Sequence, residues 1–179
     1  GNTNTREFYE TDPPDGPIYN ISEFAPMEGV LIRYPFGISY TVIAEMAEDI
    51  LVTTIVSSTG QQNYVTNQYN SNGVNLNNCN FLIAPSNSYW TRDYGPWYII
   101  DGNNELAIIN FPYNRPRPLD NDIPIEMADF LGLELYGMNV ITAGGNYMTD
   151  GMGIAASSTL VFDENPSQTQ YQIRDKIEN

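Results

Sequence analysis

The 179-residue chain has no histidine and a single cysteine, Cys79. The first absence removes histidine metal ligands, histidine general bases and any Ser–His or Cys–His pair contained within the chain. The second removes any internal disulfide. Basic residues are scarce: seven Lys and Arg stand against 22 Asp and Glu, for a net charge of −15. That balance argues against nucleic acid and anionic membranes as partners; it is compatible with a cationic substrate and equally with a solvated acidic surface. No apolar run approaches the length of a membrane span. No signal region is expected at Gly1-Asn2-Thr3, which has no basic or apolar stretch after it, and a leading glycine is compatible with a cleavage scar, any targeting segment having been removed. An Asn- and Tyr-rich, Lys-poor composition suits a secreted, cell-surface or periplasmic bacterial protein.

What the chain does have is concentrated at Ser88-Tyr89-Trp90-Thr91-Arg92-Asp93-Tyr94-Gly95-Pro96-Trp97, which holds both tryptophans. Gly-Pro punctuates the backbone, and Trp97-Tyr98-Ile99-Ile100 reads as a strand. Asp93 is therefore expected on a loop at the mouth of that strand. A carboxylate among aromatic rings suits a flat organic cation, sandwiched by the rings and forked by the carboxylate. An Arg92–Asp93 turn beside two core tryptophans is the alternative reading of the same residues.

The pattern along the chain predicts a polar arm over residues 1–22, whose Asp12-Pro13-Pro14-Asp15-Gly16-Pro17 cannot build regular structure, and a globular part over 23–179. Strands are expected at 29–34, 51–56 and 80–84. Between them come a helix capped by Ser39 and a second helix ended by Gly73. A hairpin follows, 97–100 with 105–111, turning at Asp101-Gly102-Asn103-Asn104. Asp122 is expected to cap a helix that ends at Gly132. After it come a strand around 139–142, a hairpin pairing 146–149 with 154–162, and a helical pattern from Ser167 onwards. This order suits repeated ββαβ units.

The stretch W-T-R-D-Y-G-P resembles the signature of the bacterial (Porphyromonas-type) peptidylarginine deiminase and agmatine deiminase family. The likeness extends to Met27-Glu28-Gly29-Val30-Leu31-Ile32-Arg33-Tyr34-Pro35, to Gly144-Gly145-Asn146-Tyr147-Met148-Thr149-Asp150-Gly151 and to Glu164-Asn165-Pro166. Four blocks in the right order make a specific signal. The resemblance implies the pentein fold, a five-bladed α/β propeller of ββαβ units, of which this chain would hold about two and a half. It would be the N-terminal portion of the catalytic domain, truncated at its C-terminus. It implies guanidine deimination: a thiolate attacks the guanidinium carbon, two carboxylates hold the N–H forks, and a histidine moves protons as ammonia leaves and water enters. By the same resemblance Asp93 is one of the carboxylates and Trp90 lines the pocket. The histidine, second carboxylate and nucleophilic cysteine fall beyond residue 179, so the chain alone is expected to be inactive.

Arg115 and Arg117 lie in Tyr113-Asn114-Arg115-Pro116-Arg117-Pro118. In an extended segment, i and i+2 spacing puts both guanidinium groups on one side, able to clamp a carboxylate. The resemblance makes them the arginines that bind the free carboxylate of a C-terminal arginine, which agmatine lacks. They could equally form a solvated loop paired with Asp120 and Asp122. Tyr147-Met148-Thr149, standing where agmatine-type members carry a histidine, points the same way. These residues favour C-terminal peptidylarginine, converted to citrulline and ammonia, with agmatine converted to N-carbamoylputrescine as the alternative. A third alternative is a non-catalytic half-domain that assembles with itself or a partner chain.

Gly144 and Gly145 read as backbone devices for positive φ or close approach, and Asp150 either as a turn residue or as a site residue. Glu28 reads as structural. Cys79 reads as a packed thiol, since nothing near it in sequence would lower its pKa. No cofactor is expected; acidic turns such as Asp120-Asn121-Asp122 could hold a structural calcium or sodium ion, though not with the spacing of an EF-hand.

Overall fold

The structure, a computed structural model, describes residues 8–178. The chain forms two compact units, one of residues 26–91 and one joining residues 8–25 to 92–178. The second begins with strand β1 (Tyr19–Asn20), which pairs antiparallel with residues Ile99 and Ile100.

Residues 26–91 form a three-stranded parallel sheet. Strand β2 (Gly29–Arg33) leads to helix α1 (Tyr40–Asp49), strand β3 (Leu51–Val56), helix α2 (Thr59–Ser71) and strand β4 (Cys79–Ile83), with β3 central. A β-branched run buried along its length is what a central parallel strand requires, and residues 52–56 are all buried. Helix α1 begins at its expected cap, Ser39 Oγ accepting from Val42 N at 3.4 Å, and Ser58 caps α2 in the same way, its Oγ accepting from Gln61 N at 3.2 Å. Ile43 and Ala47 of α1, Val65 and Tyr69 of α2, and Val52 and Val56 of β3 share one core. Within it the hydroxyls of Thr54 and Tyr69 meet at 2.7 Å, which satisfies two polar groups that burial would otherwise penalise.

In the other unit helix α3 (Thr91–Tyr94) feeds strand β5 (Trp97–Ile100), which forms the expected hairpin with β6 (Leu106–Asn110). Asp101 makes the turn: its Oδ1 accepts from Asn103 N and Glu105 N at 2.9 and 3.0 Å. Helix α4 (Ile123–Leu131) crosses to β7 (Glu134–Gly137), parallel to β6, so β5–β6–α4–β7 is a ββαβ unit in a sheet ordered β1-β5-β6-β7. The hairpin β8 (Tyr147–Thr149) and β9 (Ala155–Ser157) follows, then α5 (Leu160–Glu164) and α6 (Gln170–Glu178). Val140, Val161 and Ile173 form a small core at this end.

Several expectations need correcting. The first seven residues of the arm lie outside the described residues, but the remainder is not without regular structure. Besides β1, Gly102 N donates to Asp15 O at 2.7 Å, and Thr11 exchanges hydrogen bonds with Gly137. Hydrogen bonding by Thr11, Asp15, Tyr19 and Asn20 ties the segment down. The strand expected around 139–142 is instead β7, five residues earlier; Thr142 makes only an isolated bridge with Tyr113. The second arm of the last hairpin stops at Ser157, and 160–164 turn into a helix that buries Val161. Asp122 precedes α4 but makes no side-chain cap; Pro124 near the helix start removes one amide donor there. Ser167 lies three residues ahead of α6, and Thr169 caps it, Oγ1 accepting from Gln172 N at 3.2 Å.

Candidate active site

Asp93 sits on a single helical turn, α3, rather than on the loop expected for it. Gly95 ends that turn at φ +87, a left-handed conformation that side chains with a Cβ rarely adopt, and the chain then reverses into β5. Tyr94 is buried and meets the Tyr113 ring edge-on at 6.1 Å. Arg92 points away and pairs with Glu23 at the surface, which contributes little to stability. The turn reading of Arg92–Asp93 therefore holds for Arg92, while Asp93 is half-buried and faces other groups.

Those groups come from two later segments. Tyr113 Oη donates to Asp93 Oδ2 at 3.5 Å and accepts from Arg117 Nη1 at 3.4 Å. Burial raises the Tyr113 phenol above its ordinary pKa, the Asp93 charge adds to the rise, and Arg117 and Arg115 act against it. On the other side, a Cβ added to Gly145 would stand 2.7 Å from Asp93 Oδ1. A Cβ on Gly144 would overlap the Arg92 carbonyl oxygen and come 2.7 Å from Trp97 Nε1. The Gly144-Gly145 pair is thus the close-approach device the sequence suggested, and what approaches is the Arg92–Asp93 turn. Trp97 packs between Phe111 at 4.6 Å and Tyr147 at 4.7 Å, closing the contact between the signature and the Gly-Gly block.

The arginine loop is not extended. Arg117 N donates to Arg115 O at 2.7 Å, a tight turn in place of an extended segment, and both guanidinium charges act on the Tyr113 phenol. Arg117 reaches Tyr113, and Arg115 is exposed. The loop is anchored behind by Asn114 Nδ2, which donates to Glu164 Oε1 at 2.7 Å. The neighbouring Asn165 is buried and bonds both backbone groups of Ile141 at 2.8 Å, which gives Glu164-Asn165-Pro166 a structural task.

The remaining candidates stand elsewhere. Asp150 Oδ1 accepts from Met152 N and Ile154 N at 2.8 and 3.0 Å, so its carboxylate is committed to the hairpin turn, and those bonds hold its pKa below the ordinary value. Trp90 belongs to residues 26–91, where it is 47 % exposed and tilts against Tyr89 at 5.1 Å; it is not a core tryptophan. Cys79 opens β4, half-buried, its Sγ donating to Asn75 O at 3.4 Å, and burial pushes its thiol pKa up, away from the reactive thiolate. Among the described residues no three His, Cys, Asp or Glu side chains gather as a metal site. No helix of the described residues is long and apolar enough to cross a membrane.

Tyr113 was not foreseen. The sequence shows it beside the arginines, but nothing there signals that its hydroxyl meets a carboxylate twenty residues earlier. Asp93, Tyr113 and Arg117 come from α3 and from the loop after β6; the Gly144-Gly145 backbone completes the group.

The architecture places the chain in a known class: the α/β fold of the guanidine deiminases. An agmatine deiminase of C. jejuni superposes with a TM-score of 0.72 at 21% identity, covering 90% of this chain and 51% of that one. The agmatine deiminase of Enterococcus faecalis gives 0.73 at 18%, covering 89% and 49%. The sequence model of the Porphyromonas-type peptidyl-arginine deiminases matches residues 21–179, and the chain belongs to that family. A Shewanella sp. protein provisionally named an agmatine deiminase is 22% identical over 93% of this chain and 50% of its own length. One of Selenomonas ruminantium with the same provisional name is 31% identical over 52% of this chain and 29% of its own length. The chain thus spans about half the length of curated relatives it matches.

Proposed function

We propose that this chain supplies one carboxylate wall of a guanidine-hydrolysing deiminase, with Asp93 as the group that forks to the substrate guanidinium. The observation that carries this is the placement of Asp93, whose Oδ2 accepts from Tyr113 Oη at 3.5 Å and whose Oδ1 lies where a Cβ at position 145 would crowd it. A carboxylate so placed needs little reorganisation to receive two N–H groups. Agmatine is the substrate to test first, because the relatives reported above carry that name. Residues 23–179 then form the N-terminal portion of the catalytic domain, about two and a half units of a five-unit ring; the β5–β6–α4–β7 unit supports that count. The thiolate and the proton-transferring histidine come from outside these 179 residues, since the chain holds no histidine and its cysteine is shielded.

Calorimetric titration of the chain with agmatine, and with putrescine as the analogue lacking the guanidino group, tests the proposal. Agmatine should bind and putrescine should bind at least ~10-fold more weakly; Asp93→Asn should remove the difference, a charge-assisted fork being worth about 1.5–3 kcal/mol. Equal affinities in the unaltered chain would sink it. The 179-residue chain should release no ammonia from agmatine.

C-terminal peptidylarginine is the second substrate class, and Arg117 favours it. A fixed guanidinium one hydroxyl away from Asp93 repels the distal ammonium of agmatine and attracts a carboxylate. A dipeptide ending in arginine should then outcompete agmatine, and Arg115→Ala with Arg117→Ala should erase its advantage.

A further inference from the structure

Building on the deiminase reading, we propose that Tyr113 is a positioning residue whose hydroxyl couples the guanidinium of Arg117 to the carboxylate of Asp93. The ring is 6 % exposed, and the hydroxyl donates to Asp93 Oδ2 at 3.5 Å while accepting from Arg117 Nη1 at 3.4 Å. One hydroxyl has one proton to give and lone pairs to receive with, so the two contacts are complementary rather than competing. The proton goes towards the anion, and the lone pair faces the cation.

The ring itself cannot turn aside. It packs T-shaped against Tyr94, the residue after Asp93, with ring centroids 6.1 Å apart, and its backbone N–H donates to Asn121 Oδ1 at 2.7 Å. Four charged groups act on the phenol: Asp93, Arg117, Arg115 and Asp120. Burial and the carboxylates keep it protonated, the state able to donate to Asp93.

Two consequences follow. The orientation of Asp93 depends on where Arg117 stands. An anionic substrate group that draws Arg117 towards itself also loosens its hold on the hydroxyl, freeing the phenol to follow Asp93. Substrate specificity and carboxylate alignment are therefore linked through one atom.

The test places 3,5-difluorotyrosine at position 113, a tyrosine that ionises near neutral pH, and follows its fluorine resonance against pH. In the otherwise unaltered chain the midpoint lies above that of the free amino acid. Asp93→Asn should lower it and Arg117→Met should raise it, each by ~1 pH unit, the effect of a charge a few ångströms away. Tyr113→Phe should leave the fold intact by circular dichroism and thermal melting. If the midpoint ignores both charge substitutions, Tyr113 is only a packed ring and the coupling is refuted. If it responds to both, the coupling stands. Adding agmatine or a dipeptide ending in arginine then separates the two proposals. A shift of the resonance with either ligand supports the coupling and the deiminase reading together. A response to the substitutions with no response to either ligand supports the coupling and counts against Asp93 as a guanidinium site.

Discussion

Gly144 and Gly145 are neighbours, yet alanine at each should fail in a different way. A Cβ on Gly144 would overlap the carbonyl oxygen of Arg92 and crowd Trp97 Nε1 at 2.7 Å. The carbonyl belongs to α3 and cannot slide without moving Asp93, and Trp97 is wedged between Phe111 and Tyr147. Neither obstacle is the free end of a flexible side chain, so the backbone of one segment must give way. Overpacking of this kind costs about 1–3 kcal/mol. With backbone as the main obstacle, the upper end applies, and about 3 kcal/mol lowers the melting temperature of a chain this size by roughly 6–12 °C. A Cβ on Gly145 meets only Asp93 Oδ1 at 2.7 Å, and the next nearest atom is Asp93 Cγ at 3.9 Å. Rotating the carboxylate relieves that contact for about 0.5–1.5 kcal/mol. Gly145→Ala should therefore melt within a few degrees of the unaltered chain while losing discrimination between agmatine and putrescine. Parallel thermal melts and calorimetry on the two variants read both effects. Gly144→Ala with unchanged stability, or Gly145→Ala with unchanged guanidinium binding, would refute the close-approach account.

Tyr69→Phe should cost about 1–2 kcal/mol in urea unfolding, because it strands the Thr54 hydroxyl, which is fully buried. Adding Thr54→Val should recover part of that loss; a double variant no better than the single one would contradict the pairing. At the β8–β9 turn the folded pKa of Asp150 lies below its ordinary 3.8, so its support of the turn is complete above that value and disappears as pH falls through the folded value. The amide proton shifts of Met152 and Ile154 should follow that titration with a midpoint under 3.8 and be insensitive to pH in Asp150→Ala. Cys79, its thiol pKa raised by burial, should react with iodoacetamide at pH 8 at least ~10-fold more slowly than a free cysteine. Alkylation as fast as that of glutathione would overturn the shielding.

The sequence alone determined the parts whose physics is local. Apolar periodicity placed β2, β3, β4, α1 and α2; Ser39 marked a helix start, Gly132 marked an end, and Asp101-Gly102-Asn103-Asn104 made a hairpin between two apolar runs. It singled out Asp93 because a carboxylate among aromatics beside a Gly-Pro break is unusual composition, and it marked Gly144-Gly145 as a backbone device, for positive φ or for close approach. It also settled that no histidine chemistry can arise within these residues, a fact of composition that folding does not change.

Tertiary structure decided what depends on distance along the chain. The arm acquired β1 because Tyr19 and Asn20, which follow its prolines, pair with the otherwise free edge of β5. Residues 160–164 became helix because Val161 buries itself against Val140 and Ile173, an outcome that their strand-like composition does not encode. The arginine segment is a tight turn rather than extended, through one hydrogen bond from Arg117 N to Arg115 O. For Asp150 the sequence left a turn role and a site role open, and the hairpin amides took its Oδ1. Tyr113 carries no local mark at all. Its role comes from β6 delivering it beside α3, where a buried hydroxyl must find partners and finds Asp93 and Arg117. Periodicity and turn chemistry act over a few residues, whereas a polar group buried by distant segments takes its partners from the fold.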